Sequence, residues 1–361
     1  MPRQRSLFDA EEREPSFPSS RRAAPTAFVP LASLAPPEGP RRTGIARAAA
    51  RAPEVDFRNE VEYRDLACRT LLTSVNSRRV PFDYAINPYR GCEFGCTYCY
   101  ARYTHEYMEL EDWLDFERKI FLKRNARDAL LADLRRLDVK GAWIAIGTAT
   151  DPYQPAERRF GLTRALLEVF AARSGLRLSI TTKSDLVRRD AALLAEISRR
   201  NELHVNVTIT TPHYELSRRT EPRAPRPDKR LAAVRTLADA GVMAGVFVMP
   251  VLPRINDRVE DLELLVRLAK ESGADYLAAQ VLFLRNCSKK RFFPFLEERF
   301  PELLPYYRRL YAGYRTDALA QYTRQKYAEI HALRSRYGLT TWGRSADGPR
   351  LPGDQLLLPD C

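Results

Sequence analysis

From residue 82 onward, short β-prone runs alternate with stretches of helical spacing, and this alternation limits the possible folds more than any other feature. FDYAINP (82–88), AWIAIGTAT (142–150), LRLSITTKS (176–184), LHVNVTITT (203–211), VMAGVFVMPVLP (242–253) and DYLAAQVLFL (275–284) read as strands. Between them, 127–137, 158–174, 186–200, 228–241 and 258–273 carry apolar residues at helical spacing, and Gly241 and Gly273 close two of these helices. Repeated strand–helix units imply parallel strands joined by crossover helices. About six such units are present, short of the eight that complete a barrel. In LHVNVTITT, Leu203, Val205, Val207 and Ile209 share one face, and His204, Asn206, Thr208 and Thr210 share the other. A doubly wound sheet buries both faces and tends to be apolar on each, so a polar face favours a wet, open lumen. The predicted fold is α/β: a partial (β/α)6 TIM-like barrel over 55–288.

The ends read differently. Residues 1–54 are rich in Pro, Ala, Ser and Arg without a period, which predicts a disordered tail. Residues 289–340 predict a helical extension dense in Arg and Tyr, and 341–361 a loose tail. Two readings of the extension stand: a surface that meets nucleic acid, or amphipathic helices that close the barrel. No run of about 18 apolar residues occurs, so no membrane span is expected. The N-terminus has no apolar core of a secretion signal, which suggests a cytoplasmic chain. The formal charge is +13. This favours DNA or RNA as partner, with a merely Arg-rich composition as the alternative. Oligomeric state is not legible in the sequence.

Six cysteines, Cys68, Cys92, Cys96, Cys99, Cys287 and Cys361, are too sparse for a disulfide scaffold. Three of them crowd into NPYRGCEFGCTYCYAR (87–102). With His105 they make a four-ligand zinc pattern, which would suit a non-catalytic zinc protein that binds nucleic acid. A [4Fe–4S] cluster held by Cys92, Cys96 and Cys99 makes better sense of three thiols, because one iron is then left open to another ligand. Gly91 and Gly95 give the loop freedom to wrap a cubane. The loop directly follows the first strand, at the end where such folds keep their chemistry.

The C-x3-C-x2-C spacing with Tyr98 before the last cysteine is similar to the signature of radical S-adenosylmethionine (SAM) enzymes. GTATDPYQPAE, TKSDLVRRD, EPRAP and PVLPRIND further resemble the branch of that superfamily related to spore photoproduct lyase. The resemblance spans about residues 80–285. It implies that Cys92, Cys96 and Cys99 ligate the cluster and that SAM chelates the open iron. It also implies that an external one-electron reductant drives SAM cleavage to a 5′-deoxyadenosyl radical, which abstracts hydrogen from substrate. Tyr98 then lies near the adenine. Lys183 matches a lysine that meets the SAM carboxylate, and Thr148, Thr150, Asp151, Thr208 and Thr210 are further candidate SAM contacts at strand ends. Arg218, Arg219 and Glu221 are weaker candidates. The pattern has departures. Thr148 stands where the lyase carries a hydrogen-donating cysteine, so Cys287 is either a replacement donor or inert. Arg254 stands where the branch usually has glycine. His105 and Glu106 either tune the cluster or cap the next helix. The resemblance names no substrate.

Overall fold

The computed structural model describes residues 44–76, 80–313 and 316–341. Most of the two expected tails therefore lies outside the described residues. Within the N-terminal stretch read as disordered, Gly44–Arg51 is instead a helix. Its alanines are not filler: Ala49 and the following Ala52 pack against Leu66, Met108 and Phe121.

Eleven strands follow among the described residues: β1 (Glu54–Arg58), β2 (Val61–Asp65), β3 (Thr73–Ser74), β4 (Tyr84–Ile86), β5 (Tyr89–Arg90), β6 (Lys119–Leu122), β7 (Trp143–Ile146), β8 (Arg177–Thr182), β9 (Glu202–Thr208), β10 (Met243–Val251) and β11 (Tyr276–Val281). They form a small mixed sheet, β1-β2-β6-β5, and a seven-stranded sheet, β11-β10-β9-β8-β7-β4-β3. In the large sheet, β4 and β7 to β11 run parallel in chain order, and β3 pairs antiparallel to β4. Among the described residues β3 and β11 do not pair, so the sheet is not closed.

The helices lie on one face of this sheet. Leu130, Phe170, Leu194, Val234 and Leu265, from successive helices, share a core with Ile144, Leu178, Val205 and Val246 of the strands. Burial of these side chains stabilises the arrangement by roughly 1.5–3 kcal/mol each. The opposite face departs from the expected open, wet lumen. His204 and Asn206 are buried, and the Asn206 amide donates to Ser179 Oγ at 2.9 Å and accepts from the Tyr276 hydroxyl at 2.6 Å. His204 packs 5.0 Å from the Trp143 ring. Aromatic rings fill the lower part of this face, and its polar groups satisfy one another there.

Three helices follow β11 among the described residues: Asn286–Arg299, Leu304–Leu310 and Asp317–Arg336. Tyr307 and Tyr311 are buried, donating to the carbonyls of Pro253 (2.7 Å) and Leu282 (2.9 Å). Ile330 and Leu333 join the main core. These tyrosines act in packing, which favours the reading of helices that close the domain. Arg254 has φ +61°, the left-handed region that glycine enters without strain, and its guanidinium lies 4.0 Å from the Tyr306 ring.

Tyr276 crosses β10 directly over Gly245, where a Cβ would meet the ring at 2.0 Å. Gly245→Ala should therefore destabilise the protein by about 1–3 kcal/mol. Urea unfolding measures this, and an unchanged midpoint would show that the ring is free to move aside.

Candidate cofactor site

The cysteine loop is bent where only glycine fits. Gly91 has φ +83°, and a Cβ there would lie 2.9 Å from the carbonyls of Phe116 and Lys119. Gly95 has φ +65°, and a Cβ would approach Glu117 Oε2 at 2.7 Å. Neighbouring elements then pin the loop through its backbone. The Gly91 carbonyl accepts from Thr150 Oγ1 (2.5 Å) and Gln154 Nε2 (3.2 Å). The Cys92 amide donates to the Phe116 carbonyl (2.9 Å), and the Thr97 amide to the Thr220 carbonyl (2.9 Å). Arg102 donates to the Cys96 carbonyl at 2.9 Å while its guanidinium pairs with buried Glu117 at 2.5 Å.

Held this way, Cys92, Cys96 and Cys99 line one cavity of about 230 Å³ at the C-terminal ends of the parallel strands. Burial pushes the Cys96 thiol up to about 12 and raises those of Cys92 and Cys99. Thiolate ligands in such a place need a bound cation to stabilise them. Among the described residues, no three His, Cys, Asp or Glu side chains gather tightly enough for a single metal ion. His105 does not complete a zinc site: its Nε2 pairs with the Lys119 carbonyl at 3.0 Å, and its ring packs on Phe116 and Phe121. The thiol set suits a polynuclear cluster, whose ligands sit further apart than those of one ion.

Tyr98, Thr148, Thr150, Asp151, Lys183 and Thr208 line the same cavity as the thiols. The Lys183 ammonium is 5.6 Å from the Tyr98 ring centroid. Burial works against that charge, but Cys96, Glu221 and Asp151 nearby hold it above the usual lysine range. Asp151 ties the strand ends together, accepting from Thr182 Oγ1 (2.6 Å) and the Lys183 amide (2.7 Å). The hydroxyl of Thr150 is committed to the Gly91 carbonyl. Thr148 Oγ1 accepts from Asn87 Nδ2 at 3.0 Å.

Thr210 is not among the residues lining the cavity. Its hydroxyl donates to Glu221 at 3.1 Å, and the Tyr98 hydroxyl donates to the same carboxylate. Arg230, fully buried, closes this group with an ion pair to Glu221 at 2.5 Å. Burial pushes the Glu221 carboxyl up, but Arg230 and Lys183 outweigh it and hold it below the usual range. Arg218 and Arg219 are exposed on the helix Tyr214–Thr220. Cys287 is buried with Sγ 3.5 Å from the Tyr100 carbonyl and does not line the cavity. Glu106 pairs with Lys290 at 3.1 Å on the surface. Sequence reasoning missed Arg230, Arg102 and Glu117. An arginine on a predicted helix gives no sign that it is buried, and the partners are far apart in the chain.

The radical SAM superfamily model matches residues 86–269. A Mycobacterium tuberculosis protein of uncharacterised function is 36% identical over 293 residues, covering 81% of this chain and 84% of the relative. A Methanocaldococcus jannaschii protein, also uncharacterised, is 31% identical over 229 residues, covering 63% of this chain and 81% of its own length. A solved variant of spore photoproduct lyase shares the fold with TM-score 0.55 at 18% identity, covering 84% of this chain and 85% of that one. The chain belongs to the radical SAM superfamily and is a radical SAM enzyme.

Burial lowers the His105 pKa to about 4 from 6.5. The unfolded chain therefore binds a proton here between these two values, and the folded chain does not. Stability should fall by about 3 kcal/mol from this residue alone as pH drops from 6.5 to 4. Denaturant midpoints across that range test it, with a shallower slope expected for His105→Phe.

Proposed function

We propose that Cys92, Cys96 and Cys99 hold a [4Fe–4S] cluster and that SAM binds beside it, with substrate meeting both at the cavity mouth. The observation that carries this reading is the meeting of three thiols, an aromatic ring and a buried ammonium in one cavity. When bound, cluster and SAM supply reductive C5′–S cleavage and hydrogen abstraction. The chain's own part is binding, orientation and exclusion of water. Lys183 meets the SAM carboxylate, and Glu221 with Arg230 fixes the Tyr98 ring from below. Thr148 and Thr208 offer polar contacts, while Thr150 and Asp151 hold the loop and strand ends in place. Thr210 serves indirectly, through Glu221. Phe94, Phe247, Met249 and Leu282 give the cavity apolar walls. An external one-electron reductant completes the scheme.

We further read the six parallel strands as a partial (β/α)6 barrel. Side chains two strands apart meet across the inner face, as Tyr276 and Asn206 do at 2.6 Å. Such strands are about 10 Å apart in a flat sheet. For the substrate we infer a nucleic acid. The charge of +13 supports this. So does the segment carrying exposed Arg218 and Arg219, which is bonded to the cysteine loop at Thr97.

Anaerobic reconstitution should load about four irons per chain, and reduction should convert SAM to 5′-deoxyadenosine. Alanine at Cys92, Cys96 or Cys99 should abolish both. Lys183→Met should keep its iron but bind SAM about ten- to a hundredfold more weakly. Tight zinc binding with no SAM cleavage contradicts the reading. Nucleic-acid binding should weaken steeply with salt.

A further inference from the structure

The thiol loop has a second side. Its cysteines line the cofactor cavity, whereas Glu117, Arg223, Arg291 and Trp113 do not. The Arg223 amide donates to the Phe94 carbonyl at 3.3 Å, and its guanidinium pairs with Glu117 at 2.6 Å. A Cβ on Gly95 would lie 2.9 Å from Arg223 Nη2 and 2.7 Å from Glu117 Oε2, so this ion pair rests on the bare backbone between Cys92 and Cys96. Arg102 joins the same carboxylate and also donates to the Cys96 carbonyl.

Three guanidiniums thus converge on one carboxylate. Arg102 and Arg223 engage both Glu117 oxygens, and Arg291 stands 4.0 Å away with its buried Nε unbonded. Two further carboxylates act on these arginines. Glu298, near Arg291, pairs with Arg299 at 2.9 Å. Glu93, near Arg223, is buried and accepts from the Ala156 amide at 2.7 Å and the Tyr63 hydroxyl at 3.0 Å. The cluster keeps an excess of positive charge, and solvent reaches it: the Arg223 side chain is 41% exposed and that of Arg291 21%. Half-buried Trp113 lies beside them, its ring 4.6 Å from the Arg291 guanidinium. Exposed Glu111 and Asp112 precede Trp113 in the chain.

We infer that this outer side of the loop, at Arg223, Arg291 and Trp113, docks an acidic protein that carries a low-potential one-electron centre. In the proposed reading SAM and substrate fill the cavity, so an electron carrier has to approach the cluster from another side. Electron transfer falls steeply with distance, and here one layer of side chains separates solvent from the loop backbone beside Cys96. The excess cations select an acidic partner and speed its encounter. A nucleic acid would feel the same charge, but its reacting part has to enter the cavity, which these residues do not line. One electron leaves the carrier's reduced centre and enters the cluster, and no atom is transferred. The inference rests on the proposed cluster and names the kind of partner that reduces it.

The test uses the reconstituted full chain with two reductants, a pre-reduced acidic ferredoxin and dithionite. It follows bleaching of the cluster and formation of 5′-deoxyadenosine. The ferredoxin should reduce the wild type at a rate that falls steeply with added salt. The double variant Arg223→Glu, Arg291→Glu should load the same iron and react with dithionite as the wild type does. It should accept electrons from ferredoxin at least about tenfold more slowly. Should the double variant load less iron, Arg291→Gln carries the test with a slowing of about threefold. A short single-stranded oligonucleotide is the competing probe. Three results overturn the docking site: unchanged ferredoxin rates in the variants, no reduction of the wild type by ferredoxin while dithionite succeeds, or loss of oligonucleotide binding in the variants with the ferredoxin rate retained. Failure of dithionite to drive SAM cleavage in the wild type counts against the cofactor reading instead, so the two failures are distinguishable.

Discussion

Everything at the site depends on bending one short loop so that three thiols face the same space. The bend needs positive φ at Gly91 and Gly95, and the surroundings leave no room for a side chain at either. The loop is then fixed from four directions: Thr150 and Gln154 after β7, Phe116 before β6, Thr220 after β9, and Arg102 with Glu117. These anchors come from distant parts of the chain, so the loop is formed only when the whole domain is. Backbone carbonyls and amides do most of this work, which leaves the cysteine side chains uncommitted to structure.

The large sheet separates stability from chemistry by its two faces. One face carries the helices and most of the apolar burial. The other is polar, but only its upper end opens into the cavity; below, Tyr276, Trp143 and His204 fill the space. A second apolar cluster joins Phe94 and Tyr98 to Phe292, Tyr307 and Tyr311 of the C-terminal helices. The extension thus packs against the cysteine loop.

Much of the fold was legible because its signals are local. Each of the six parallel strands overlaps a run picked out by β-propensity, five lying wholly inside it and β9 starting one residue early at Glu202, and the glycines at 241 and 273 mark real helix ends. The small sheet was not legible. Its hairpin turns at Asn59 and Glu60, both at positive φ, without the glycine that usually marks such a turn. The helix at Gly44–Arg51 was hidden by an alanine-rich composition that reads as low complexity. The three thiols, Tyr98 and Lys183 could be found from spacing and resemblance, since each sits in a short motif. Glu221 was only a weak candidate, and Arg230, its partner, was missed. Their importance lies in burial and pairing across strands, which a linear pattern does not carry. The sequence also suggested a wet lumen where Asn206 and Tyr276 instead satisfy each other.

The central claim is that three protein thiols leave one iron of the cluster open to SAM. The most direct measurement is the electron paramagnetic resonance spectrum of the reduced, reconstituted protein before and after SAM is added. The account predicts a distinct spectrum once SAM is present, because its amino and carboxylate groups bind the open iron. An identical spectrum with SAM at saturating concentration would contradict it.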